Sequence, residues 1–412
     1  MTATILAIVI IVYAGMILGG LPFLQLDRTG IALLGAIALI SVDALSLEQA
    51  ASAVHMPTII LLFAFMVLSA QLRLGGFYEW VTSTLIARPL PPPLLLGLVI
   101  LAIGALSAVF SNDIVCLAAA PVVIEACRRR QLDPIPFLLG LACAANIGSA
   151  ATLIGNPQNI LIGQTLRLSF AGYTAEAALP VLAGLVACWG IVVWQVRDWS
   201  APAASVAGRP EGRHGSEHAT LDRWQSAKGL AVAGVLLVVF LFSSWPREHV
   251  ALTAAGLLLM SRKLHSRRML GLVDWELLIL FIGLFVVNHA LQSTNVVSGI
   301  VGYFAGWGVD LHEPAELFVA TFLLSNIVSN VPAVMLLLPL AQDPVAGPLL
   351  ALVSTLSGNL FIVGSIANII VIDAAARSGV PISWSRHART GIPVTAATLA
   401  ITAAYLWARS AF

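Results

Sequence analysis

Ser107, Ser111, Asn112 and Asp113 stand together in a segment that is otherwise almost wholly apolar. Ser107 and Ser111 are four residues apart, so on a helix they share one face just below the Asn112–Asp113 step. Hydroxyls and amide carbonyls are hard ligands suited to a sodium ion at Ser107, Ser111 and Asn112, and an asparagine amide also suits a hydrogen-bonding oxyacid. Asp113 adds a charge. A carboxylate at membrane depth is costly and points to function: it can hold a proton or balance a bound cation, and it can also cap the helix that follows. The spacing returns as Ser325, Ser329 and Asn330, with Val331 where Asp113 would fall.

Two further polar stretches interrupt apolar sequence, NIGSAATLIGNPQN (146–159) and STLSGNLFIVGSIAN (354–368). The first contributes Asn146, Gly148, Thr152, Gly155, Asn156 and Asn159 as candidates, and the second Gly364, Ser365 and Asn368. Asn156 sits where an N-cap belongs, with Pro157 at the first helical position, and Ser365 is the equivalent cap. Such breaks create half-helices. Their N-termini offer free N–H groups to anions and their C-termini offer carbonyls to cations.

The elements that hold these residues must live in lipid. The chain is 59% hydrophobic and only 10% charged, against roughly 25% charged for a soluble domain. With a net charge of +1 there is no nucleic-acid signature. The four cysteines, Cys116, Cys127, Cys143 and Cys188, have no metal-ligand spacing, and no resident cofactor is implied. Paired catalytic carboxylates, His-Glu-x-x-His and a Ser–His arrangement are absent, which argues against an intramembrane enzyme. A channel would need a continuous polar pore or rings of charge, and only isolated breaks appear. The first twenty residues carry no basic residue and read as a retained helix rather than a cleaved leader.

Apolar segments fall at 3–20, 30–43, 56–74, 93–127, 134–165, 172–196, 228–245, 249–261, 274–292, 314–341, 347–373 and 386–408. Segments 93–127 and 314–341 are too long for one crossing, and each has a Ser-Asn step in its middle: either two full spans or a hairpin that enters the membrane and turns back, both of which return the chain to the side it left. If Arg128–Arg130 are cytoplasmic, alternation places 18 of the 21 basic residues on that side, leaving only Arg167, Arg247 and Arg409 opposite. Both termini are then outside an inner membrane. Residues 197–227 read as a polar, flexible linker.

The halves repeat. Ser107-x-x-x-Ser111-Asn112 matches Ser325-x-x-x-Ser329-Asn330 at an offset of 218, as do LLFAF (61–65) with ILFIG (279–283) and Pro121 with Pro339. At an offset of 209, Gly155–Asn159 then matches Gly364–Asn368. The expected fold is an all-α polytopic membrane protein of two inverted repeats, 1–196 and 228–412. Each has five transmembrane helices, one broken, plus a re-entrant hairpin, at 93–127 and 314–341. The broken helices are 134–165 and 347–373. An odd number of crossings per repeat forces the inversion, and inverted repeats with mid-membrane breaks mark alternating-access transporters. Weaker candidates are Asn288 and His289, read as interfacial. Glu125, Asp274, Glu276 and Asp373 are read as solvated or paired near helix ends, and Cys116 and Cys143 as packing.

In SNDIVCLAAAPVV (111–123), NIGSAATLIGNPQNILIG (146–163), SNVPAVMLLLP (329–339) and GNLFIVGSIANIIV (358–371) the chain resembles the ion transporter superfamily. That group includes ArsB-type arsenite permeases, NhaD-type sodium/proton antiporters, citrate-transporter-like permeases and divalent anion/sodium symporters. The symporters carry Ser-Asn-Thr at both tips; this chain has Ser-Asn-Asp and Ser-Asn-Val, which looks more like the ArsB type. The resemblance implies a scaffold from the first helices of each repeat (1–74 in the first) and a mobile transport domain from hairpins and broken helices. It also implies a homodimer, a small ion as substrate, and a proton or sodium as coupling ion.

Overall fold

Lipid offers no partner to a bare amide or carbonyl, so a spanning chain must close its backbone hydrogen bonds within helices or bury its breaks in protein. The computed structural model, which describes residues 1–20, 24–196, 199 and 221–410, follows that rule. It has no strand among the described residues. Most of the linker expected at 197–227 lies outside them.

The first repeat runs through α1 (Thr2–Leu18), α2 (Arg28–Ser41), short α3 (Leu47–Ala53), α4 (Met56–Leu74) and α5 (Phe77–Ile86). It continues with the hairpin α6 (Pro92–Val109) and α7 (Asn112–Arg129), the broken helix α8 (Pro134–Ser149) and α9 (Pro157–Thr165), and α10 (Phe170–Gln195). The second repeats the order: α11 (Arg223–Phe242), α12 (Arg247–Leu259), short α13 (Ser266–Leu270), α14 (Trp275–Gln292) and α15 (Val296–Ala305). Then come the hairpin α16 (Pro314–Val328) and α17 (Asn330–Leu337), the broken helix α18 (Ala346–Ser357) and α19 (Ile366–Arg377), and α20 (Trp384–Ser410).

Contacts come in mated pairs. Helix α2 packs on α14 as α4 packs on α12; α7 packs on α19 as α17 packs on α9; α6 lies against α8 as α16 lies against α18. A two-fold relation between the repeats requires this reciprocity. Its direction is set where α10 meets α20. Glu176, near the start of α10, pairs with Arg409 at the end of α20 at 2.5 Å. Thr390, near the start of α20, donates to Gln195 at the end of α10 at 2.7 Å. Equivalent helices therefore run antiparallel, and the repeats are inverted. The contacts also sort into two packed bodies, one of α1, α2, α4, α11, α12 and α14, the other of the hairpins and broken helices.

Among the described residues, six helices are long and apolar enough to cross a membrane by themselves. The remaining apolar helices are shorter: α8, α16, α17 and α18 end at the breaks and hairpin tips, while α1 and α2 are short without a break. Large apolar side chains face outward along helices, as Leu179, Leu182 and Val186 do on α10. In water such a stripe would be a liability; against acyl chains it is the required surface.

Four helices were not anticipated. The short α3 and α13 fall in gaps between the apolar segments, and the stretches at 75–92 and after α14 contain α5 and α15. Tyr78, Thr82 and Ile86 recur every four residues and are buried, while α15 buries no residue. Both are too short and too broken by glycine or serine to register as spans. Asn288 is also not interfacial: it is buried and accepts from Tyr13 Oη at 2.7 Å. His289, beside it, is exposed. Two basic residues cap helix ends. Lys228 Nζ donates to the carbonyls of Leu257, Leu258 and Met260, and Arg128 to that of Ser378. Glu125 and Asp373 pair with Arg129 and Arg377 as expected, and Asp274 caps α14.

The tightest approach is α6 on α8. A Cβ on Gly148 would lie 2.2 Å from the Gly104 carbonyl oxygen. Replacing Gly148 by Ala should cost about 1–3 kcal/mol through overpacking, lowering the apparent melting midpoint of the detergent-purified protein. Gly234→Ala, with nothing within 4 Å, should leave the midpoint unchanged.

Candidate functional site

The first hairpin turns at Phe110–Ser111 and brings Asn112 to the break between α8 and α9. Asn112 Nδ2 donates to Asn146 Oδ1 at 3.2 Å, and Asn112 Oδ1 accepts from its neighbour's amide, Asp113 N, at 3.1 Å. The tip therefore lies level with the break, inside the core. Helix α6 is 18 residues, about 27 Å, so its arm enters deeply before the chain returns.

Asn146 is a four-way node. Its Oδ1 accepts from Asn112 and, at 2.8 Å, from Ser365 Oγ. Its Nδ2 donates to Asn359 Oδ1 at 2.8 Å and to Asn368 Oδ1 at 3.1 Å. One amide thus joins the first hairpin, the first broken helix and both sides of the second break. Asn368, wholly buried, donates to the carbonyls of Gly358 and Phe361, closing the loose end of α18.

The mate of this cluster lies at the first break. Asn156 caps α9 by accepting from Asn159 N at 2.9 Å, and its Nδ2 reaches Ser149 Oγ and Thr355 Oγ1, each at 3.1 Å. Asn159 donates to the Thr152 carbonyl at 3.1 Å, as Asn368 does to that of Phe361. Asn159 Oδ1 accepts from Thr355 as Asn368 Oδ1 accepts from Asn146. Each break is therefore closed by a residue of the other repeat.

The glycines fit backbones together. A Cβ on Gly155 would fall 2.2 Å from the Ser149 carbonyl and 2.8 Å from that of Ser107; one on Gly364 would meet Gly358 at 2.9 Å. Thr152 Oγ1 donates to the Ala108 carbonyl. Asn330, at the second tip, brings its amide to the Gly358 side of the second break.

Several buried polar atoms at this junction have no protein partner: Ser107 Oγ, its mate Ser325 Oγ, Asn330 Oδ1 and Asn359 Nδ2. Buried polar groups normally find partners, so such a cluster fits a hydrogen-bonding guest. Asp113 follows directly in the first turn of α7 and joins none of the ion pairs among the described residues. It is not the cap. Ser111 occupies the N-cap position, without a side-chain hydrogen bond.

The hairpins differ in strain. Ser111 has φ −54°, while Ser329 has φ 80° and ψ 159°, a region that suits glycine.

All sixteen candidates lie on the hairpins and broken helices, while Ser149, Thr355 and Asn359 were not singled out from the sequence. The signal for one was present: the 209-residue offset carries Asn146 onto Thr355.

Comparison with known proteins agrees with this architecture. The citrate transporter family profile matches residues 5–356. An uncharacterized transporter of Mycobacterium tuberculosis is 32% identical over 379 residues, covering 85% of this chain and 86% of that protein. A silicon efflux transporter of Oryza sativa subsp. japonica is 30% identical over 459 residues, covering 92% of each. In fold, the chain is similar to the YdaH transporter of Alcanivorax borkumensis, with a TM-score of 0.54 at 14% identity over 98% of this chain and 97% of that one.

The strained tip makes a stability prediction. Backbone strain of this kind costs about 1–3 kcal/mol, and glycine's added entropy returns roughly 0.5–1 kcal/mol of any relief. Ser329→Gly should therefore stabilise the protein by about 1 kcal/mol, whereas Ser111→Gly should not. Paired thermal melts of the two variants decide it.

Proposed function

The chain belongs to the citrate transporter family, within the ion transporter superfamily, and on that premise we propose that it is a proton-coupled secondary permease for a small neutral oxyacid. The reading follows the ArsB-type resemblance. The observation that carries it is the chemistry of the junction: amides, hydroxyls and half-helix ends, one carboxylate at Asp113, and no lysine or arginine among the polar contacts described there. A weak oxyacid presents several hydroxyl donors and acceptors, which asparagines can match group by group. The relative in rice is a silicon efflux transporter, consistent with such a guest.

The family description favours a second reading, a citrate or dicarboxylate permease. Each carboxylate about 5 Å from an ionised Asp113 would be repelled by roughly 3 kcal/mol at an effective dielectric of 20. A proton on Asp113 or a bound sodium at Ser107, Ser111 and Asn112 would have to offset this. A sodium/proton antiporter would use the same cation site without the oxyacid.

The two packed bodies suggest the movement. The body of α1, α2, α4, α11, α12 and α14 serves as a scaffold, through which two copies form a homodimer. The hairpins and broken helices move as one transport unit, in the manner of an elevator, because Asn146 and Thr355 tie them together across the repeats. The charge distribution supports an orientation with both termini outside, in a cell's inner membrane.

Everted vesicles should discriminate among the substrates. Silicic acid or arsenite should be accumulated with a proton gradient and not with sodium alone. Sodium-driven citrate accumulation would replace this reading with the second. Asp113→Asn should abolish proton-coupled accumulation while the purified protein still elutes as a single folded species. Coupling retained in full by that variant would remove the role given to Asp113.

A further inference from the structure

A serine begins the last helix of each repeat in the same way. Ser169 accepts from Gly172 N at 3.1 Å, and Ser383 accepts from Arg386 N at 3.2 Å. The register that these caps set, 214 residues, puts His387 where the first repeat has Tyr173. The two side chains hold equivalent carbonyls. Tyr173 Oη donates to the Ala150 carbonyl at 2.7 Å, and His387 Nε2 meets the Asn359 carbonyl at 3.2 Å. Ala150 and Asn359 are themselves mates at the 209-residue offset of the broken helices. A carbonyl only accepts, so Nε2 carries the proton and Nδ1 keeps a free lone pair. Nδ1 is buried without a partner, and His387 is only 1% exposed. A phenol is neutral across physiological pH, whereas an imidazole changes charge there.

We infer that His387 is a proton-binding site of the transport cycle, linked to the Asn146 node through Asn359. Nδ1 takes up the proton while Nε2–H stays on the Asn359 carbonyl. This rests on the transport reading above but adds a second ionisable station, separate from Asp113. Asn359 connects the two: its carbonyl accepts from His387, and its side-chain oxygen accepts from Asn146 at 2.8 Å. Charging the imidazole strengthens the first bond and so steadies the second. A Cβ on Gly391 would lie 2.3 Å from the Asn359 oxygen, 3.0 Å from that of Leu360 and 3.1 Å from His387 Nε2, so carbonyls crowd the ring. Those carbonyls follow the C-terminal end of α18, the negative end of its dipole.

The neighbouring charges leave this task to His387. Helix α20 packs on α8, α10, α18 and the 3-10 turn at Ile362–Gly364. Their titratable side chains are Cys143 on α8 and Tyr173, Glu176 and Cys188 on α10, with none on α18 or the turn. Glu176 is bound by Arg409 at the far end of α20. Arg386 and Arg389 flank His387 on its own helix and are exposed. With Gln195 and Thr390 they line a cavity of about 290 Å³ whose walls come within one turn of His387.

The test needs no substrate for its first arm. Full-length protein labelled with ¹⁵N-histidine, compared with His387→Gln to assign the resonance, should show a ring protonated at Nε2 at high pH that titrates within about pH 5–8. An Nδ1–H tautomer, or no titration between about pH 4 and 9, would overturn the proposal. In everted vesicles loaded with silicic acid, the roughly tenfold change in rate per pH unit expected of wild type should fall below about twofold in His387→Tyr, which copies Tyr173, and in His387→Gln. An undiminished pH dependence in both would overturn the proposal. Wild-type vesicles that move no silicic acid would sink the substrate reading alone, and the titration would still decide the proton site.

Discussion

An asparagine side chain has two lone pairs and two amide protons, and Asn146 engages all four with groups that the covalent chain keeps far apart. The first hairpin tip, the end of α8, the cap of α19 and the loose turn after α18 meet at this one amide. In water each of these groups could be solvated separately. In a bilayer each would be an uncompensated polar group, and the breaks could not persist. The interlocking of the repeats, the depth of the hairpins and the position of the unpartnered hydroxyls all follow from satisfying that demand at one place.

The two-fold relation is therefore functional as well as architectural, but it is not kept uniformly. Asp113 faces Val331 in the alignment, Tyr173 faces His387, and the relaxed Ser111 faces the strained Ser329. Gly104 and Gly148, in backbone contact, have Phe322 and Ser357 as their mates, so α6 approaches α8 through a pair of glycines that α16 and α18 lack. The shared path of the chain supplies two breaks of opposite sense. The departures from symmetry give them different chemistry, with ionisable groups at some points and neutral groups at the equivalents.

Much of this was legible in the sequence because breaks in apolar segments stand out. Asn156 before Pro157 and Ser365 before an apolar run are caps by local chemistry alone, and both cap as read. The inversion could be read from parity and charge. What could not be read was partnership. Asn359 looks like one polar residue in a loose turn until Asn146 and His387 are seen on either side of it. Its role comes from residues 213 and 28 positions away. The register changes from 218 to 209 to 214 along the repeat, so the match of Tyr173 with His387 appears only once their capping serines are located. The short helices α5 and α15 escaped for another reason: they lie outside the pattern of spans, and one of them has no buried face.

The crossed capping also sets an order of events during synthesis. Asn146 emerges from the ribosome more than two hundred residues before Asn359, Ser365 and Asn368, and Asn156 well before Thr355. Until the second half is inserted, the first half sits in the membrane with its break only partly closed by its own residues. The individual helices can be threaded in sequence, but the core is completed last, as a single closure between halves. A chain truncated between the repeats would thus lack the partners that close its break: its first half would keep polar groups exposed to lipid, the kind of defect that marks a membrane protein for degradation.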